Sequence, residues 1–152
     1  MERSHRLLDS GDQLVHRSVA VLPGPFTVAG AAGTGPIRTA EVLADLAHHS
    51  LLVPLGPRGP GRPSRFAQLG IVRGHAARAL ADVDGTDAGH DGRDRWLAEL
   101  AADRPRLGTT TEAAWFDALD DDLAPLRTTL QRNLVDRRSP IGALVVARLG
   151  MF

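Results

Sequence analysis

Apolar residues recur at three-to-four spacing along much of this 152-residue chain, and the breaks in that rhythm mark its organisation. Residues 3–9 and 12–19 read as two short helices, with Leu7, Leu8, Leu14, Val15, Val19 and Val21 lining one side. LPGPF (22–26) interrupts them, because Pro23 and Pro25 remove backbone donors and restrict their neighbours. In TVAGAAGTGP, Thr27 is placed to cap a helix that its glycines weaken. Thr39 can cap the next helix. Glu41 and Asp45 suit its N-terminal half, and Val42, Leu43, Leu46 and Ala47 form its stripe.

The rhythm then changes. Residues 51–55 form a short apolar run that predicts a buried strand, and GPRGPGRPS cannot be regular structure. Residues 65–68 return as a second strand, and Ile71, Val72, Ala76, Ala79 and Leu80 stripe a closing helix. The polar stretch DVDGTDAGHDG reads as a linker. Beyond it the pattern is helical only, over residues 93–103, 112–119, 122–135 and 140–149. The expected architecture is mainly α. A winged helix with a two-stranded β wing occupies residues 1–83, a linker residues 84–89, and the first antiparallel hairpins of a tetratricopeptide-like repeat residues 90–152.

Composition narrows the function classes. Eighteen basic residues, all arginine, balance 18 acidic ones, so there is no overall pull on a polyanion. No cysteine is present, which excludes thiol chemistry and fits a reducing cytoplasm. The N-terminus lacks a signal-peptide core, and IGALVVARLGMF is too short to span a bilayer.

No residue pattern assembles a catalytic, cofactor or metal site. GAAGTG (30–35) has the outer glycines of a phosphate-binding loop, but Pro36 and Ile37 stand where Lys and Ser or Thr are needed, so it reads as a flexible turn. His48 and His49 are adjacent, about 100° apart on a helix, and His5, His16, His75 and His90 read as scattered surface or boundary residues. Asp120, Asp121 and Asp122 read as caps at a helix start rather than paired catalytic carboxylates. The serines lack a nucleophile-elbow context.

The basic turn is the strongest candidate for nucleic-acid contact. Arg58, Arg62 and Arg65 surround the wing, with Arg73 and Arg78 on the following helix. The helix that should enter a major groove, however, offers Glu41 and Asp45 outward and lacks Arg or Asn donors to bases. The arginines then serve a solvated loop or contacts to a neighbouring domain.

Taken in order, the segments resemble the middle of the large actinobacterial ATPase regulators of transcription, of LuxR and antibiotic-regulatory (SARP) type. In these an NB-ARC-like ATPase precedes a winged helix and tetratricopeptide-like repeats. SHRLLDSGDQLVHRSVAVLPGPFTVAGAA is similar to the family's opening helices and turn, VLADLAHHSLLV to the helix and strand before the wing, and SRFAQLGIVRGHAARAL to the strand and helix after it. EAAWFDALDDDLAPLRTTLQRNL resembles a first repeat, with Trp115, Leu119, Leu126, Arg127, Leu130 and Leu134 in place. The ATPase with its P-loop does not occur in the chain, and the family's Met-His-Asp nucleotide sensor falls near Gln68, Leu69 and Gly70, which do not match it.

The resemblance implies a non-catalytic regulatory module, a fragment or relic of such a regulator. It would contact an ATPase domain or a helical-repeat partner, with a stand-alone DNA-binding winged helix as the alternative. A missing further repeat would leave Leu130, Leu134, Ile141, Leu144, Val145, Val146 and Leu149 on uncovered faces, favouring self-association.

Overall fold

The computed structural model describes residues 8–35, 39–83, 86–106 and 108–150. The helix expected over residues 3–9 lies almost wholly outside them, as does the capping side chain of Thr39.

Helix α1 (Ser10–Ser18) starts because the Asp9 carboxylate accepts the Asp12 N–H at 2.8 Å, and it runs into a 3₁₀ turn (Val19–Val21). Pro23 and Pro25 then force extended chain into β1 (Phe26–Thr27). The Thr27 hydroxyl accepts the Gly30 N–H at 3.0 Å and opens α2 (Val28–Gly33), as its sequence position predicts.

Helix α3 (Thr39–His48) buries Leu43 and Leu46. It ends where Ser50 adopts a left-handed conformation (φ 59°) and the Leu51 N–H returns to the Leu46 carbonyl at 2.9 Å. That reversal places Leu51 and Leu52 in the core as a turn, so β2 is Val53–Leu55, shorter than the expected strand. The turn carrying Arg58 and Arg62 leads to β3 (Arg65–Ala67) and α4 (Gly70–Val83).

The sheet has three antiparallel strands in the order β1-β3-β2, not the two expected. Phe26 stands opposite Phe66, with ring centroids 6.5 Å apart, and Phe66 also faces Pro54. A two-residue strand carries no alternation to read, so only this pairing reveals it. In α4 the buried residues are Val72, Ala76 and Leu80, while Ile71 is exposed.

The expected linker is largely helix. Helix α5 spans Thr86–Ala102 and packs against α2, the 3₁₀ turn and α4 on one side and α7 and α8 on the other. After it come α6 (Thr110–Asp121), α7 (Leu123–Leu130), a π-helical segment (Gln131–Asp136) that interrupts the expected continuous helix, and α8 (Pro140–Leu149). Two apolar clusters result. One centres on Val19, Phe26, Leu43 and Leu46, the other on Leu97, Ala101 and Val145. Val145 is thus covered by the chain itself, and Leu130, Ile141 and Leu149 are partly so, whereas Leu134, Leu144 and Val146 stay exposed.

Glycines let α5 approach α2 closely. A Cβ on Gly33 would lie 2.5 Å from both Cβ and Cγ of Trp96, and one on Gly92 would lie 2.8 Å from the Gly33 carbonyl oxygen. The GAAGTG stretch is therefore mostly a packed helix, not a flexible turn. Gly33→Ala should lower stability by about 1–3 kcal/mol, because overpacking must displace a helix or an indole. Gly74→Ala on α4, where a Cβ meets nothing within 4 Å, should raise it by about 0.5–1 kcal/mol. Urea denaturation of the two variants beside the parent chain measures both.

Candidate functional site

The wing turn folds onto the acidic end of α6. Arg58 reaches Asp120 Oδ2 at 2.9 Å and its carbonyl oxygen at 3.3 Å. Arg62 donates to the Asp117 carbonyl at 2.6 Å, to Asp120 Oδ2 at 3.2 Å and to Asp121 Oδ2 at 3.2 Å, and lies 2.9 Å from Asp121 Oδ1. These bonds from Arg58 and Arg62 hold the Asp120 carboxyl below its usual range.

Asp120 and Asp121 therefore close the last turn of α6 and bind the wing; they do not cap a helix start as expected. Asp122 sits at the α6–α7 junction and makes no side-chain cap bond either. Of the other candidate nucleic-acid contacts, Arg65 lies on β3 opposite Thr27 and Leu55. Arg73 donates to the Pro23 carbonyl at 2.8 Å, and Arg78 is exposed. The wing arginines are thus not brought together as one free basic surface: two of the three are paired with carboxylates. Outward on α3 stand Glu41, Ala44, Asp45 and His48, with His49 following. His16, expected near the surface, is fully buried.

Between the wing turn, α2, α5 and α6 lies a cleft of about 900 Å³. Val28, Ala29, Ala32, Trp96, Leu100 and Ala118 give it an apolar lining, and Asp117, Asp121 and Asp122 add carboxylates. Asp122 is buried, and its Oδ1 has no hydrogen-bond partner among the described residues. Burial, reinforced by the negative charge of Asp121, pushes its carboxyl up to about 7.

A second buried carboxylate, Asp94, has the opposite surroundings. Its Oδ1 accepts from Thr129 Oγ1 at 2.6 Å and from Arg93 Nη2 at 2.7 Å. Its Oδ2 accepts from Asn133 Nδ2 at 2.6 Å and from Arg132 Nη1 at 2.7 Å. Burial alone would raise this carboxyl, but the bonds from Thr129, Asn133 and Arg93 override it and hold the group below its usual range. Arg93, itself fully buried, also donates to the Val21 carbonyl at 3.0 Å. Arg132 and Arg137 extend the network to Asp87 and Asp91 on α5.

Sequence reasoning missed this network, although a signal existed. Asp87, Asp91 and Asp94 follow at i, i+4 and i+7, one helical face, but the first two fall in a stretch whose polarity reads as a linker.

No family model, no curated protein and no solved structure matches the chain. No helix among the described residues is long and apolar enough to cross a membrane.

Asp94→Asn should destabilise the fold by about 3–5 kcal/mol, since it leaves the buried Arg93 charge without its partner. The lowered Asp94 carboxyl contributes stability above the ordinary carboxylate range, lost as pH falls through its own pKa. Asp122 has the reverse sign. Between roughly pH 4 and 7 the folded chain keeps a proton that the unfolded chain releases, so stability falls as pH rises and levels off above about 7. Asp122→Asn should remove that slope and stabilise the chain at about pH 8 by up to roughly 4 kcal/mol, with little effect near pH 4. Urea titrations of parent and variant across this range read the difference.

Proposed function

We propose that the chain is a non-catalytic, cytoplasmic regulatory module of the winged-helix and helical-repeat type. It would belong with ATP-dependent transcriptional regulators, transmitting nucleotide state or binding a partner protein. The order of elements supports a winged helix: helix, strand, two helices, strand, turn, strand, helix, with β3 between β1 and β2. The helices from α5 onward support a repeat-like second half, in which Trp115 anchors α6 by donating to the Leu100 carbonyl at 2.8 Å.

The observation that carries the reading is the use made of the wing. Arg58 and Arg62 are spent on Asp117, Asp120 and Asp121 of the same chain. The helix in the groove-reading position presents Glu41, Ala44 and Asp45 outward, a face that phosphates repel. Such a unit docks onto protein, and an ATPase domain or a helical-repeat surface is the partner the family resemblance implies.

Fluorescence anisotropy with a random 20-base-pair duplex at low salt tests this. The chain should show no salt-dependent binding up to about 100 µM, the weak end of the nonspecific range. Glu41→Lys/Asp45→Lys, which reverses the groove-facing charge, should gain such binding. Micromolar, salt-sensitive affinity of the parent chain, lost in Arg58→Ala/Arg62→Ala/Arg65→Ala, would establish the DNA-binding alternative instead.

A further inference from the structure

The cleft beside the wing has features that docking of the wing does not explain. Its volume of about 900 Å³ falls within the range of about 300–1,000 Å³ that small-molecule sites occupy. Its walls combine apolar side chains from three helices with the carboxylates of α6 and Asp122, closed on the fourth side by residues 60–63 of the wing turn, Arg62 among them.

Asp122 lines this space with a buried oxygen that nothing in the described chain satisfies. Most buried polar atoms in native proteins are paired, so a carboxylate left unpaired at the wall of a cleft marks a place for a partner from outside. Charge fixes the sign of that partner: the cleft lining holds three carboxylates, Asp117, Asp121 and Asp122, against the guanidinium of Arg62. The Trp96 indole stands beside the open carboxylate: a Cβ on Gly30 would lie 3.1 Å from Asp122 Oδ1 and 3.3 Å from Trp96 Cη2. The carboxylate supplies ion pairing for an organic cation, and the Trp96 ring edge supplies apolar wall for its body. A hard metal ion would need several more oxygen ligands than the apolar walls supply.

We propose that this cleft binds a small organic cation with an apolar body and one protonated amine or amidine, which pairs with the carboxylate of Asp122. The body would lie against Trp96, Leu100 and the alanines of α2 and α6, and the head would pair with the Asp122 carboxylate at the cleft wall. The proposal goes beyond the regulatory reading and does not depend on the DNA question.

The charged groups that face Asp122 are few. Asp121 is its neighbour and is held by Arg62 and Arg58 of the wing. The residues that α2 and α5 contribute to the cleft, Val28, Ala29, Ala32, Trp96 and Leu100, carry no charge. The pH dependence of binding is therefore that of Asp122 itself.

Three congeners test it by calorimetry and by amide chemical-shift mapping on the full chain: 4-phenylbutylamine, its neutral analogue 4-phenylbutanol and the anion 4-phenylbutyrate. The amine should bind, the alcohol should bind at least tenfold more weakly, and the carboxylate should not bind. Amine affinity should fall about tenfold from pH 8 to pH 6 as Asp122 takes up its proton, with the amine charged throughout. Asp122→Asn should erase the preference for amine over alcohol and the pH dependence while keeping the helical circular dichroism. Ala32→Phe, which fills the cleft and leaves Asp122 in place, should block both ligands. Equal affinity for amine and alcohol, full amine affinity in Asp122→Asn, shifts mapping away from the cleft, or no binding at millimolar amine would each overturn the proposal.

Discussion

The carboxylate of Asp94 is the point through which the two apolar clusters become one molecule. Four donors converge on it, from Arg93 beside it and from Thr129, Arg132 and Asn133 of α7 and the π segment. Arg93, held in place by that carboxylate, reaches back to Val21 in the first cluster. A buried ion pair contributes little net stability when compared with apolar packing, and removing one member is costly. Its effect is to fix geometry: α5 can take only the rotation that presents Asp94 to α7 and Gly92 to α2. The π-helical segment belongs to the same constraint, because Asn133 lies in it and bonds both Asp94 and the Thr129 carbonyl.

Three devices therefore secure one arrangement around α5. The polar network ties it to the following helices, the Gly33–Gly92 approach ties it to α2, and the arginines of the wing tie the sheet to the end of α6. They act by different physics: charge-assisted hydrogen bonds, close packing permitted by absent side chains, and partly exposed ion pairs. The last is the weakest of the three, since exposed pairs typically contribute below about 1 kcal/mol each. The wing is thus the part of this arrangement that can move at least expense, and it forms one wall of the cleft.

Local chemistry was legible in the sequence where one segment contains both partners. Thr27 capping α2, the stripe of α3 and the strand–turn–strand outline of the wing all follow from spacing within a few residues. What failed was chemistry completed across the chain. Asp120 and Asp121 look like caps because a new helix begins beside them, and only the fold brings Arg58 and Arg62 to them over some sixty residues. Residues 86–92 look like a linker because they are polar and contain glycine. Their carboxylates serve Arg132 and Arg137, and Gly92 serves the crossing with α2. The strand at Phe26 was hidden for the same reason, since its evidence is Phe66.

Two buried aspartates show how much the surroundings decide. Asp94 and Asp122 are alike in type and in burial, and their carboxyls move in opposite directions. Around Asp94 the chain supplies donors enough for both oxygens. Around Asp122 the described residues supply a glycine, an indole edge and a second carboxylate, and one oxygen has no partner among them. Packing alone does not account for the difference, because an asparagine of nearly the same volume would fit the junction without the charge. Natural sequences depart from local consistency chiefly where function requires it. A carboxylate left without a donor among the described residues, at the wall of a partly apolar cleft, is a departure of that kind, and it locates the part of this molecule least explained by folding.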